Sequence, residues 1–162
     1  MVARKESEPQ RTTVQKKSER EVVVTRTFDA PARLVFEAWS KPDLFKKWWV
    51  PRSMGMTLRS CEMDVRTGGR YRLGFGDGMD FFGRYLEVTP PSRIVWTNEE
   101  GGDNGSITTV TLTEQDGKTL LVMSELYPSK EALDADGAGA ADATHETFEQ
   151  LDELLVELAS ES

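Results

Sequence analysis

Few side chains in this sequence are equipped for chemistry. His145 is its only histidine and Cys61 its only cysteine. An imidazole titrates near neutral pH and serves readily as a general base, and His145 stands just before an apolar helical stripe, from where it can face a hollow beneath that helix. The run His145-Glu146-Thr147-Phe148-Glu149 has the outline of a zinc helix, but such a helix needs a second histidine four residues on, where Glu149 stands. No other nitrogen or thiolate ligand has suitable spacing, so neither a metal nor a cofactor is expected. Cys61 needs a neighbouring base to act as a nucleophile; it shares a strand face with Met63 and reads as a buried, inert thiol. Gly74, Gly76 and Gly78 recur at every second position but lead from strand to strand with no helix after them, which excludes a phosphate loop. Asp77 and Asp80 flank a hairpin tip and read as turn residues. Trp48-Trp49 is less ordinary, because two adjacent indoles at a helix end do not both bury easily; one belongs at a cavity mouth or an interface.

These residues are positioned by a long helix and a sheet. From Ala140 to Ser160, Phe148, Leu151, Leu155 and Leu158 recur every three or four positions among acidic residues, the pattern of an amphipathic helix. Burying them with Leu154 contributes roughly 10 kcal/mol at about 2 kcal/mol per side chain, so the helix must lie on something broad. The middle of the chain supplies it. Val22 to Phe28 reads as a first strand. Asp29-Ala30-Pro31 starts a helix whose buried stripe is Leu34, Val35, Ala38 and Trp39, and Ser40 caps a second short helix ending near Trp48. Six strands then follow with tight connections: Thr57 to Val65, Arg70 to Phe75, Phe81 to Val88, Arg93 to Asn98, Ile107 to Thr113 and Lys118 to Leu126. Short turns between successive strands make an antiparallel meander, not βαβ units. A helical turn at Lys130 to Ala135 is separated from the long helix by Gly137-Ala138-Gly139.

With 162 residues, 38% hydrophobic and 30% charged, the chain suits one domain, expected over residues 22–160 behind a flexible polar tail from Met1 to Glu21. A net charge of -8 argues against nucleic acid, and the absence of a long apolar run argues against a membrane span. From Ser129 onward Lys130 is the only base, so the exposed helix face is acidic. A single cysteine fits a reducing, cytoplasmic setting.

The order of elements resembles the α+β helix-grip fold of the START and Bet v 1 group, a curved antiparallel sheet wrapped around a long C-terminal helix, with two short helices after the first strand. Arg26 to Pro31, Val35-Phe36, Ala38-Trp39, Pro42, Trp48-Trp49 and Pro51 look like the opening of the family named after the activator of the Hsp90 ATPase. Cys61 to Arg66, Gly68 to Arg72, Gly83, Tyr85, Pro90-Pro91 and Arg93 to Thr97 continue that pattern. Where family members often carry Gly-Trp or Gly-Met before the last helix, this chain has Ala143-Thr144. The eukaryotic activator also uses an additional N-terminal domain that a tail of this length does not replace, so co-chaperone function does not follow from the resemblance.

Such a fold leaves a hollow between sheet and helix. Strand alternation puts Tyr71, Leu73 and Phe75 on one face, Val110 and Leu112 on another, and Leu120, Val122 and Ser124 on a third. With Trp49, Met54, Phe82, Trp96, His145 and Phe148 they either fill a core or wall a ligand cavity. Leu121 and Met123 then face outward, which suggests a homodimer contact. Three functions stay open: a non-catalytic domain binding a small hydrophobic or aromatic ligand; a protein-interaction module related to Hsp90 co-chaperones, with a chaperone as partner; and a cyclase- or hydrolase-like enzyme using His145.

Overall fold

The computed structural model of the chain describes residues 12–55, 58–75, 80–99 and 105–161, with the backbone alone at 54, 135–143 and 161. Eight strands form one curved antiparallel sheet in the order β1-β2-β8-β7-β6-β5-β4-β3. Strands β3 (Ser60–Met63), β4 (Arg70–Gly74), β5 (Asp80–Thr89), β6 (Arg93–Thr97), β7 (Ile107–Gln115) and β8 (Lys118–Leu126) are the expected meander. Strand β2 (Glu21–Phe28) closes on β8, and β1 (Thr13–Ser18) adds an edge. Two short helices, α1 (Ala32–Ser40) and α2 (Pro42–Trp48), bridge β2 to β3, and α3 (Lys130–Glu161) lies across the concave face. This is the helix-grip architecture.

Four sequence expectations need correction. The stretch from Met1 to Glu21 is not all tail: residues 13–18 are a strand, and 1–11 lie outside the described residues. Val14 packs against the core, and Thr12 is buried where its hydroxyl accepts a hydrogen bond from Arg26 Nη1 at 2.8 Å. The exposed lysines, Lys16 and Lys17, suit an edge strand, since they discourage pairing with another chain. Second, α3 runs through Gly137-Ala138-Gly139 without a break. Each glycine costs about 1 kcal/mol there, but the segment is rich in alanine, the best helix former.

Third, the caps differ. Pro31 is the N-cap of α1, and the Glu114 carboxylate of β7 accepts from the Ala32 N–H at 2.9 Å, so a distant strand caps the helix. Lys41, not Ser40, is the N-cap of α2, with Pro42 at the first helical position. Fourth, Leu121 and Met123 face inward, while Leu120 is 40% exposed on the outer face. The run Leu120-Leu121-Val122-Met123 carries no alternation to reveal its phase. The turn does: Asp116 (φ 57°) and Gly117 (φ 80°) form a two-residue hairpin that pairs Gln115 with Lys118, and hence Leu112 with Leu121. The outward-facing pair behind the dimer expectation is therefore absent.

The core is built where α3 crosses the first helices. Phe148, Leu151, Leu154 and Leu155 are buried against Phe28, Val35, Trp39, Trp48 and Leu121. Phe148 meets Phe28 edge-on at 5.7 Å between ring centroids and lies 6.4 Å from Trp39. Trp39 and Trp48 are T-shaped at 4.8 Å, and Trp48 Nε1 donates to Ala38 O at 2.9 Å. Aromatic pairs of this kind add about 0.5 to 1.5 kcal/mol beyond area burial. Phe148→Ala is therefore expected to lower stability by about 4 kcal/mol in urea unfolding; a loss under about 1 kcal/mol shows that the ring is not the anchor of α3.

Candidate functional site

Beside that core the sheet and α3 part, leaving a hollow of about 470 Å³. One end is aromatic. Trp39 and Phe45 from the first helices, Trp49 just after α2, Phe75 and Phe81 at the β4–β5 hairpin, and Trp96 of β6 line it, with Met63, Leu73, Tyr85, Ile94 and Met123. Phe45 and Trp49 stack at 5.6 Å, Trp49 meets Phe81 edge-on at 5.6 Å, and Trp39 lies 5.7 Å from Trp96. The Trp48-Trp49 pair thus divides as expected, with Trp48 in the core and Trp49 at the wall.

The opposite end is polar, lined by Tyr71, Asn98, Ser106, Thr108, Glu125, Tyr127, Thr144 and Thr147. Its hydrogen bonds run in one direction. Asn98 Nδ2 donates to Thr108 Oγ1 and Ser106 Oγ, each at 3.0 Å, and Ser106 Oγ donates to Glu125 Oε2 at 2.7 Å. Tyr71 OH donates to Thr97 O at 2.7 Å. Only Thr144 and Thr147 represent α3 at the wall among the described side chains.

The mouth is held by α3 itself. Gln150, buried, donates from Nε2 to Trp48 O and Val50 O at 3.0 and 2.9 Å and accepts from the Arg52 N–H at 2.9 Å. Glu146 accepts from the Ser53 N–H at 2.9 Å and from its hydroxyl at 2.5 Å, and these donors hold its carboxyl below the usual range. Arg52 pairs with Glu153 at 2.8 Å. Three side chains spaced along one helix thus fix the segment that presents Trp49, Val50 and Pro51.

Of the expected site residues, Trp49, Tyr71, Leu73, Phe75 and Trp96 meet around the hollow. Phe82 does not: the pairing of Leu73 with Phe81 turns Phe81 inward, and Phe82 lies outside beneath Arg72, 5.0 Å from its guanidinium. Val110 and Leu112 face inward but are core, as is Phe148. His145 is exposed and stays outside the wall, because one residue on a helix rotates it away from Thr144. The Met54 side chain and the tip Gly76-Asp77-Gly78 lie outside the described residues. Cys61 is half-buried beside Met63, with Sγ 3.8 Å from Pro42 O, and burial pushes its thiol pKa up, away from the reactive thiolate. Sequence reasoning missed the polar end. The Asp116-Gly117 count that turns Leu121 inward also turns Thr108 and Glu125 inward.

Residues 29–156 match the family model described as activator of Hsp90 ATPase homolog 1-like protein. The chain belongs to this family. A crystal structure of a Rhodobacter sphaeroides protein is similar over 91% of this chain and 99% of that one, at 26% identity and a TM-score of 0.79. A Chromobacterium violaceum protein is 28% identical over 83% of this chain and 96% of its own, with a TM-score of 0.70. An Hsp90 activator from Plasmodium falciparum shares the fold, at 20% identity and a TM-score of 0.54 over 66% of this chain and 72% of that one. No curated protein matches the sequence. Among the described residues no cluster of His, Cys, Asp or Glu could hold a metal ion, and no helix is long and apolar enough to cross a membrane.

Gln150→Ala strips three backbone groups of their partner, one of them buried with it. It is expected to cost about 2 to 3 kcal/mol in urea unfolding and to red-shift tryptophan emission as Trp49 loosens; an unchanged spectrum and midpoint show that the mouth is held by other contacts.

Proposed function

We propose that this family member is a non-catalytic helix-grip protein that binds a small, largely apolar or aromatic molecule in the hollow between its sheet and α3. The observation that carries this reading is the hollow itself. Its volume of about 470 Å³ falls within the roughly 300 to 1,000 Å³ of ordinary small-molecule sites, and its apolar walls with a few convergent polar groups have the make-up of such sites. The one histidine, main candidate for acid–base catalysis, stands outside that wall, which weakens the enzymatic alternative. Native mass spectrometry of the purified protein, followed by titration with the neutral fluorophore N-phenyl-1-naphthylamine, tests the reading. A released small-molecule mass or saturable one-to-one binding is expected, with Met123→Trp abolishing the binding by filling the hollow. A clean apo mass together with no saturable binding overturns it.

A second reading, a protein-interaction module related to Hsp90 co-chaperones, has family membership behind it and one exposed apolar side chain, Val156, at 65% exposure among the acidic residues of α3. It predicts a complex with a chaperone of the Hsp90 class that Val156→Glu weakens and that salt weakens further; no complex by pull-down at low salt counts against it.

A further inference from the structure

We infer that the hollow selects an aromatic molecule with a hydrogen-bond-accepting oxygen, of the aryl ketone kind, whose carbonyl accepts from the Tyr85 hydroxyl while its ring rests on Trp96. This rests on the ligand-binding reading of the same cavity and names the chemical class it takes. The state of that hydroxyl is the first observation. Tyr85 lines the hollow and is only 5% exposed, yet its hydroxyl has no hydrogen-bond partner among the described residues. The neighbouring phenol differs: Tyr71, its ring 5.6 Å away, donates to Thr97 O at 2.7 Å.

Nor is the Tyr85 hydroxyl sealed in. Among the described side chains only Arg26 Nε and Trp39 Nε1 are both fully buried and unpartnered, so the hydroxyl reaches open space, and the hollow is the space that Tyr85 lines. Polar groups this deep in a protein are nearly always paired. A phenylalanine would fill the same place with nothing left unpaired, so the hydroxyl marks where a ligand atom belongs.

The other polar atoms at this end decide what kind of atom that is. Besides the phenol oxygen, the side-chain nitrogens and oxygens of the aromatic end are the indole N–H groups of Trp39, Trp49 and Trp96, which donate and cannot accept. Burial pushes the Tyr85 phenol pKa up, with Cys61 and Asp64 adding to the effect, so the proton stays on the oxygen and the hydroxyl remains a donor. A ketone oxygen accepts without bringing a hydrogen of its own, which the indoles could not take.

Geometry supplies the second observation. Tyr85 of β5 and Trp96 of β6 are direct cross-strand partners that both line the hollow, which puts their Cβ atoms about 5 Å apart. Two side chains rising from one position on the floor present a flat π-face and a hydroxyl side by side. A ring laid on the indole brings a carbonyl at its edge to the hydroxyl.

Two probes of one shape test this, 2-acetylnaphthalene and 2-isopropenylnaphthalene, which differ in C=O against C=CH2. Each is titrated against N-phenyl-1-naphthylamine bound to the wild-type protein and to Tyr85→Phe. The substitution is expected to weaken the ketone about tenfold and to change the hydrocarbon by less than about twofold, as the loss of one hydrogen bond requires. In the wild-type complex the infrared C=O stretch of the ketone is expected below its position in hexane. Equal changes for both probes, or a C=O stretch at its hexane position, overturn the assignment while leaving an apolar ligand cavity in place. Failure of the fluorophore and both probes to bind counts against the ligand-binding reading as well. The wild-type infrared measurement decides the question even if the variant does not fold.

Discussion

The packing of Phe148 against Phe28, Trp39 and Trp48 is the contact on which the rest of this structure depends. It joins the last helix, the first helices and β2 at one point, across sequence separations of a hundred residues or more. Once that point is fixed, α3 can only continue across the concave face. Toward its C-terminus the helix carries Leu151, Leu154 and Leu155, large enough to reach the sheet. One turn earlier it turns Thr144 and Thr147 toward the sheet instead. Two threonines cannot reach as far as the leucines that follow them, and the hollow lies on their side of the core.

Polar contacts then finish what apolar packing begins. Arg26 sits buried on the inner face, bonded to Thr12, 3.4 Å from Asp152 of α3 and 5.4 Å from the Phe28 ring. Removing one member of such a pair strands the other, so its value lies more in fixing position than in net stability. Gln150 does the same for the chain after α2 without a charge. Between them these two residues set the rotation of α3 and the placement of the cavity mouth. Sheet curvature is set elsewhere: at Gly83 an added Cβ would come within 2.0 Å of Thr97 O, and just beyond it Leu86 is the extra residue between Tyr85 and Glu87 as β5 passes from β4 to β6.

Much of this was legible in the sequence because the signals were local. The period of Phe148, Leu151, Leu155 and Leu158, the turn residues between strands and the family motifs each determine an element by themselves. The face of a strand is not local when its residues are all apolar. Leu120 to Met123 give no sign of their phase for that reason, and of the adjacent pair Phe81 and Phe82 it is the pairing of Leu73 with Phe81 that turns Phe81 inward. The strand at residues 13–18 was missed because its polar sequence gains its place from pairing with β2 and from Arg26, not from its own propensity. The polar end of the cavity escaped for the opposite reason: Asn98, Ser106 and Glu125 look like loop and edge residues until pairing carries them to one recess.

This separation has a consequence for the family. The side chains that hold α3 and those that line the hollow are largely different residues, since Phe148, Leu151 and Leu155 touch the core while Thr144 and Thr147 face the cavity. Substitution at the wall alters volume, polarity and charge without removing the contact that anchors the helix. A fold arranged in this way tolerates wide change in sequence, in keeping with a Rhodobacter sphaeroides relative that superposes over nearly its whole length at 26% identity. The character of the hollow is then a property of each chain's own wall. In this one, the Trp49 and Trp96 indoles at one end and a hydrogen-bonded row from Asn98 through Ser106 to Glu125 at the other give the wall its character, and none of those side chains is needed to hold α3 on the core.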